Sequence, residues 1–410
     1  MIETNPEKIY EFLYRGVETI LPSRDFVESQ LLSGKKLTMY LGIDPTGPNL
    51  HIGHAIALKK LAQFQNLGHR IILLMGDFTA RIGDPTDKLA TRKTLTTEEI
   101  AENLKNYKEQ ASKIISFNGT NAAEIKFNSE WLGKMDFADV LQLGSKMTVQ
   151  QMLERDMFQK RIEEGKPIYV HEFMYPLMQG YDSVAMMVDG EIGGNDQLFN
   201  MLTGRDLLKE YDKEKFVMTV KLLADATGKK MGKSEGNMIT LNDSPDEMYG
   251  KIMSWTDGMI MGGFELCNDI SKDELLEIGI GMQNNENPMQ YKKQLAREVI
   301  SIYYNKILAE DAQTNWEKTF SEGGLPDESM ITKIEDINIQ EIKARGNLMI
   351  ILVLKGIISS NSEFRRLVEE GAIKIINEDL LEEKITDFQY TLSKTIILKI
   401  GKKKFVRIIV

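Results

Sequence analysis

The sequence predicts an α/β chain: a mostly parallel sheet with helices on both faces, then a helical segment, then a small basic α+β module. Three observations predict it. A strand, loop, helix, strand succession occupies residues 37–78. Later strand-like runs, EIKFNSEW and FVMTVKLL, alternate with helix-start signals, the pattern of a parallel sheet with crossover helices. Charge is unevenly divided: residues 351–410 carry 11 Lys and Arg against 8 Asp and Glu, although the 410-residue chain has a net charge of −10.

LTMYLGI (37–43) is a short apolar run bounded by turn residues and reads as a buried strand. A loop punctuated by Gly and Pro, DPTGPNLHIGH, follows it. From Ile52 to Leu67 apolar residues such as Ala55, Leu58 and Ala62 recur at helical spacing, and Gly68 is a stop signal. IILLMGDF then reads as a second buried strand, completing a βαβ unit. Thr96 with Glu99 and Thr148 with Gln151 have capping-box spacing. From about residue 246 to 345 strand signals fade and the pattern is mainly helical, with loop chemistry at 283–288 and 321–329. After Arg345 two amphipathic helices, NLMIILVLKGI and NSEFRRLVEEG, precede short β segments ending in KKKFVRIIV.

Composition narrows the classes of function. With 42% hydrophobic and 27% charged residues the chain is an ordinary soluble globular protein. Its longest apolar run, Leu348 to Leu354, is far short of the roughly 20 residues a membrane span needs. The amino terminus is polar and acidic, unlike a signal peptide, so a cytoplasmic location is expected. One cysteine, Cys267, and four histidines offer neither an internal disulfide nor a multi-cysteine zinc site, so any metal is expected to arrive with a substrate and none to be held by protein side chains. The basic carboxyl-terminal module is compatible with nucleic-acid contact, although a basic tail is more often a solvated surface.

In open parallel sheets, ligands bind beyond the carboxyl ends of the strands, where helix amino termini favour anions. The loop after the first strand holds His51-Ile52-Gly53-His54 at a helix start. Gly53 would let a phosphate or ribose approach, and both imidazoles can donate to phosphate oxygens; the same residues also read as a decorated helix end. At 229–237 the chain reads KKMGKSEGN, with Lys230 and Lys233 around Met231-Gly232. Two ammonium groups on such a loop can follow a polyphosphate through reaction, and taken alone they also read as a solvated basic turn. Neither GxGxxG nor GxxxxGK[ST] is present at the first loop.

The conjunction of these two motifs is more specific than either, and the segments between them extend it: MYLGIDPT with Tyr40 and Asp44, IGDPT at 82–86, YPLMQGYD at 175–182 and GGNDQ at 193–197. On these residues the chain resembles the class I aminoacyl-tRNA synthetases, whose signatures are named HIGH and KMSKS, and within them the bacterial-type tyrosyl-tRNA synthetases. Gly232 stands where the second signature has serine. The likeness covers essentially the whole chain, because NSEFRRLVEEGAIKI and IGKKKFVRI are similar to a small RNA-binding domain shared with a ribosomal protein.

The resemblance implies a Rossmann-like catalytic domain over 1–245, a helical domain over 246–345 and an RNA-binding domain over 346–410. It implies ATP-dependent activation of L-tyrosine and transfer to the 3′-terminal ribose of tRNA(Tyr), with Mg²⁺ accompanying ATP as substrate, no tightly bound cofactor, a homodimer and no membrane association. His51, His54, Lys230 and Lys233 would act on the phosphates. Tyr40 and Asp182 would hold the phenol, and Asp84, Tyr175 and Gln179 the ammonium group, with Gln197 in the pocket wall. Gly42, Asp44, Thr46, Gly53, Asp196, Met231 and Lys233 would contact ATP. Lys88 and Arg92 would meet phosphate or tRNA, and Arg365, Arg366, Lys402, Lys403 and Lys404 the RNA backbone. Tyr175, Gln179 and Asp182, spaced four and three apart on one predicted helix, share a face.

Three other readings have clear discriminators. A tryptophan enzyme of the same subclass has no use for the hydroxyl partners Tyr40 and Asp182, and tryptophan-dependent pyrophosphate exchange would mark it. A paralogue serving a non-tRNA acceptor would exchange but charge no tRNA. A non-catalytic RNA-binding protein would do neither.

Overall fold

Six strands of the first sheet are β1 (Val17–Leu21), β2 (Thr38–Ile43), β3 (Arg70–Met75), β4 (Glu124–Phe127), β5 (Gly190–Gly194) and β6 (Phe216–Val220). Their order is β1-β6-β5-β2-β3-β4, parallel throughout except for the antiparallel pairing of β1 with β6. The computed structural model describes residues 2–84, 95–224, 238–320, 331–334, 347–376, 382–392, 395–401 and 404–409. Two compact units result, Met1–Asn242 with Ser254–Tyr303, and Asp243–Met253 with Tyr304–Val410.

In the first unit the predicted βαβ succession is present. β3 is buried along almost its whole length, as a central parallel strand must be. The helix Ile52–Asn66 buries Ala55, Leu58, Leu61 and Phe64, and Gly68 follows it with a φ of 91°, a left-handed conformation that glycine adopts without strain. Both capping boxes, Thr96 with Glu99 and Thr148 with Gln151, are formed.

Three predicted strands end early, FVMTVKLL among them, which is strand only to Val220. IILLMGDF is strand only as far as Met75, because Gly76 turns against Asp44, where a Cβ would lie 1.9 Å from Asp44 Oδ1. EIKFNSEW is strand only to Phe127, and Ser129–Leu132 forms a helical turn. β1 and β5 were not signalled by the sequence. β5 reads Gly-Glu-Ile-Gly-Gly, with no apolar run, and is a strand because it pairs on both sides with β2 and β6. At Gly190 a Cβ would stand 2.1 Å from the Phe216 ring, so only glycine admits that neighbour.

The predominantly helical stretch 246–345 does not behave as one body. Helices Ile260–Cys267, Lys272–Gln283 and Pro288–Tyr303 belong to the first unit, whereas Pro245–Met253 and Lys306–Phe320 belong to the second. It also contains a strand, β7 (Ile331–Ile334), too short to be read by alternation and held by parallel pairing with β11. The second unit's sheet runs β7-β11-β10-β8-β9, where β8 is Ile373–Ile376, β9 Glu382–Lys384, β10 Ile396–Ile400 and β11 Lys404–Ile408. Helices Leu348–Leu354 and Asn361–Glu369 are where the amphipathic patterns predict them, and Leu348, Leu352, Phe364 and Val368 join Leu398 and Val406 in one apolar cluster.

Candidate active site

The loops that follow β2, β3, β4 and β5 all open at the carboxyl edge of the first sheet and carry Asp44 to His54, Gly76 to Asp84, Asn128 to Trp131, and Asn195 to Gln197. Against them lies the helix Val170–Met186, which supplies Tyr175, Gln179 and Asp182. It approaches the helix Leu198–Lys209 at Gly180, where a Cβ would come within 2.9 Å of Thr203 and Leu207.

Asp182 is 2% exposed. Its Oδ1 accepts from Trp131 Nε1 at 2.7 Å and its Oδ2 from Asn128 Nδ2 at 3.3 Å. Both donors sit on the turn that cuts short the predicted EIKFNSEW strand. Burial raises the Asp182 carboxyl well above the ordinary carboxylate range; the Trp131 and Asn128 donors oppose that rise, while the Glu191 and Asp44 charges add to it. Tyr40, fully buried on β2, has its hydroxyl 3.0 Å from Ser183 Oγ and 3.5 Å from the Gln179 carbonyl. Burial, then the charges of Glu191 and Asp182, holds that phenol protonated, so Tyr40 is a donor at any working pH.

Toward the loops, Tyr175 donates to Asp44 Oδ2 at 2.9 Å, and Thr79 Oγ1 donates to Asp44 Oδ1 at 2.7 Å. Gln179 Nε2 donates to Glu191 Oε1 at 2.9 Å. Gln197 Nε2 donates to Asp84 Oδ2 at 2.6 Å and its Oε1 accepts from Asn200 at 3.1 Å. Arg155, buried against the Phe158 and Phe199 rings, brings its guanidinium to 3.8 Å from Asp84 Oδ1. Thr46 is half-buried and its amide donates to the Asp44 carbonyl; Asp196 is exposed beside Gly194.

His51 is the amino-terminal cap of the helix Ile52–Asn66. Its Nδ1 accepts from the Gly53 amide at 3.1 Å, and His54 Nδ1 accepts from the His51 amide at 3.2 Å. The two rings stack at 3.8 Å. A neutral imidazole that accepts at Nδ1 carries its hydrogen on Nε2, so the reciprocal cap sets both rings as Nε2–H donors. Gly53 has a second reason beyond ligand approach: a Cβ there would press within 3.0 Å of the His51 ring. Gly42 is exposed, and a Cβ would make only ordinary contact with Tyr40 and Leu74.

Lys88, Arg92, Lys230, Met231, Lys233, Lys402 and Lys403 lie outside the described residues. On the second unit Arg365 and Arg366 are exposed, Arg366 pairs with Glu370 at 2.9 Å, and the exposed Lys404 donates to the Ile357 carbonyl at 2.6 Å. Sequence reasoning missed Asn128, Trp131, Arg155, Ser183, Glu191 and Lys215. The only local hint was the polar Asn128-Ser129-Glu130 interrupting an apolar run.

An open, mainly parallel sheet that gathers paired imidazole donors and a buried carboxylate at its carboxyl edge is the ground plan of an α/β ligand-binding enzyme domain. Residues 32–321 match the family model described as tRNA synthetases class I (W and Y), and the chain belongs to that family. It is 44% identical to the tyrosine–tRNA ligase of Carboxydothermus hydrogenoformans over 97% of either chain, and 43% identical to that of Thermotoga maritima over 98% of each. Among solved structures it is similar to a C-terminally truncated Aspergillus nidulans mitochondrial tyrosyl-tRNA synthetase, with TM-score 0.65 and 22% identity over 76% of this chain and 94% of that one. A tyrosyl-tRNA synthetase from Archaeoglobus fulgidus complexed with L-tyrosine gives TM-score 0.58 at 23% identity, over 75% and 98%. At these identities the structural likeness concerns the fold.

Proposed function

We propose that the protein joins L-tyrosine to tRNA(Tyr) at the expense of ATP. The observation that carries this reading is Asp182, a buried carboxylate held by Trp131 and Asn128 on the same polar floor as the Tyr40 hydroxyl. A phenol entering there accepts from Tyr40 and donates to Asp182. Phenylalanine would offer neither the acceptor that Tyr40 meets nor the donor that Asp182 meets, and leaving such buried hydrogen-bonding capacity unmet costs about 1–3 kcal/mol.

In the first step an oxygen of the tyrosine carboxylate attacks the α-phosphorus of ATP, the bond to the β-phosphate oxygen breaks, and pyrophosphate leaves with its Mg²⁺. The nucleophile is already ionised at neutral pH, so no general base is needed. What the chain supplies is alignment and charge stabilisation. Asp84, Tyr175 and Gln179 hold the ammonium group, Gln197 orients Asp84, and the Nε2–H groups of His51 and His54 donate to phosphate oxygens. Lys230 and Lys233 neutralise the departing pyrophosphate, and Gly42, Asp44, Thr46, Gly53, Asp196 and Met231 complete the nucleotide contacts. In the second step a hydroxyl of the 3′-terminal ribose attacks the tyrosyl carbonyl and AMP leaves.

RNA is held through its backbone by residues 346–410, including Arg365, Arg366 and Lys402 to Lys404, and Lys88 and Arg92 meet phosphate or tRNA. The protein acts as a homodimer: Phe137 and Leu141, one turn apart on the helix Phe137–Gly144, are 76% and 61% exposed, as is fitting for residues a second copy covers. Among the described residues no helix is long and apolar enough to cross a membrane, and a tRNA substrate accords with a cytoplasmic location.

Amino-acid-dependent exchange of pyrophosphate into ATP tests the reading directly. Tyrosine is expected to drive it; exchange driven by tryptophan alone would sink the proposal. Removing residues 346–410 should abolish charging and spare exchange.

A further inference from the structure

Behind the tyrosine slot lies a second layer of buried polar groups that the mechanism above does not use. Lys215, on the residue before β6, is fully buried, and Glu191 on β5 is 2% exposed. Lys215 Nζ donates to Glu191 Oε2, and also to Ser183 Oγ at 2.8 Å. The other Glu191 oxygen accepts from Gln179. Ser183 Oγ stands 3.0 Å from the Tyr40 hydroxyl and 3.4 Å from Glu191 Oε2. Gly204 leaves room for the cluster, since a Cβ there would lie 2.6 Å from Ser183 Oγ and 2.7 Å from Lys215 Nζ.

Burying a charge pair stabilises a fold little compared with apolar residues of the same volume, so its presence against a binding slot calls for another explanation. Hydrogen-bond direction supplies one. An ammonium group donates only. Once Ser183 Oγ accepts from Lys215, its own hydrogen has two acceptors within reach. Glu191 Oε2 already receives Lys215 and is the farther, so the Ser183 hydrogen goes to the Tyr40 oxygen. Tyr40 must then turn its hydrogen away from Ser183, where the Gln179 carbonyl at 3.5 Å is a poor acceptor and the Glu191 carboxylate, already engaged by Lys215 and Gln179, competes with a ligand in the slot.

We propose that Lys215, Glu191 and Ser183 are positioning residues that fix Tyr40 as donor to the substrate phenol, making the slot selective for a group that both accepts and donates. A ligand phenol completes the line Lys215, Ser183, Tyr40, phenol, Asp182, with a donor-only group at one end and an acceptor at the other. The same Glu191 holds the Gln179 amide, so the pair orients both ends of the amino acid.

This inference rests on the proposed tyrosine activation, and pyrophosphate exchange by the full-length protein separates the two. If the unaltered chain shows no tyrosine-dependent exchange, the functional reading fails. Given that activity, Ser183→Ala is expected to raise KM for tyrosine about three- to tenfold, the worth of one hydrogen bond, and to lower the tyrosine-to-phenylalanine ratio of kcat/KM equally. KM for ATP should not move, and Ser183→Thr, which keeps the hydroxyl, should restore the ratio. The double variant Lys215→Met/Glu191→Gln removes the charges together, avoids a stranded ion, and should melt near the parent while showing the same loss of discrimination. If Ser183→Ala, or the folded double variant, keeps both tyrosine KM and the discrimination ratio within about 1.5-fold of the parent, the charge pair is merely structural and the proposal is overturned.

Discussion

The two sheets of the molecule differ in what they bury. Against the first, Asp182, Glu191, Lys215 and Arg155 are all withdrawn from water. In the second, the described residues from 331 onward bury no polar side chain at all: Leu348, Leu352, Phe364, Ile373, Leu398, Val406 and Ile408 form an apolar core, and Lys374, Lys399 and Glu382 pair outside it. Selecting a small molecule by one hydroxyl requires fixed, desolvated donors and acceptors, because in water the same groups discriminate poorly. Holding an RNA backbone requires solvated charge, whose strength comes from number and counterion release. The first sheet therefore carries a stability cost that the second avoids.

Asp182 is the sharpest place to break that contrast. Asp182→Asn should lower tyrosine kcat/KM by at least about a hundredfold while leaving ATP binding intact, since the charged acceptor is lost. Because burial raises the carboxyl of Asp182 in the folded protein above its unfolded value, ionised Asp182 destabilises the fold, and stability is lost as pH rises through its folded pKa. The same variant should then melt no lower than the parent at pH 7, and calorimetry beside exchange kinetics reads both. A variant that is active, or inactive because unfolded, would remove the contrast.

Next in size is a pure packing loss in the second sheet. Leu398→Ala empties a site that is fully buried, at a cost of about 2–5 kcal/mol. Charging of tRNA should fall with the folded fraction of that unit while exchange persists; loss of exchange in step with charging would mean the units do not unfold independently.

His69 offers a buried group with no catalytic part. Its Nδ1 accepts from the Leu37 amide at 3.3 Å, and burial, aided by Lys36, lowers it from 6.5 to about 4. The unfolded chain takes up this proton first as pH falls, so its contribution is complete above 6.5 and is lost between 6.5 and about 4. The loss is on the order of 3 kcal/mol. Denaturation midpoints across that interval should fall less steeply in His69→Gln, and an unchanged slope would count against the burial account. Smallest is Arg366→Ala, which gives up an exposed pair with Glu370 and should alter stability by under about 0.5 kcal/mol. Its effect is expected in the salt dependence of tRNA binding, with a slope shallower by about one contact.

Local signals explain why some of this was legible in advance. β2, the helix Ile52–Asn66 and β3 were readable because apolar spacing, a glycine stop and a capping pattern act over a few neighbouring residues. Tyr175, Gln179 and Asp182 were placed on one helix for the same reason. β5 was invisible, since Gly190 and Glu191 argue against a strand unless both flanking partners are known. Trp131 and Asn128 were hidden inside a run that looked like continuous strand.

By itself the sequence determined the α/β class, the helix starts and the motif residues, because those depend on period, caps and turn chemistry within a few positions. Tertiary structure decided which charges leave water. Lys215 and Glu191 are 24 positions apart and meet only because β5 and β6 lie side by side. Asp182 acquires its two donors from a turn 51 and 54 residues earlier. Desolvation is a property of the whole surrounding fold, and a charged side chain in a string of letters carries no mark of it.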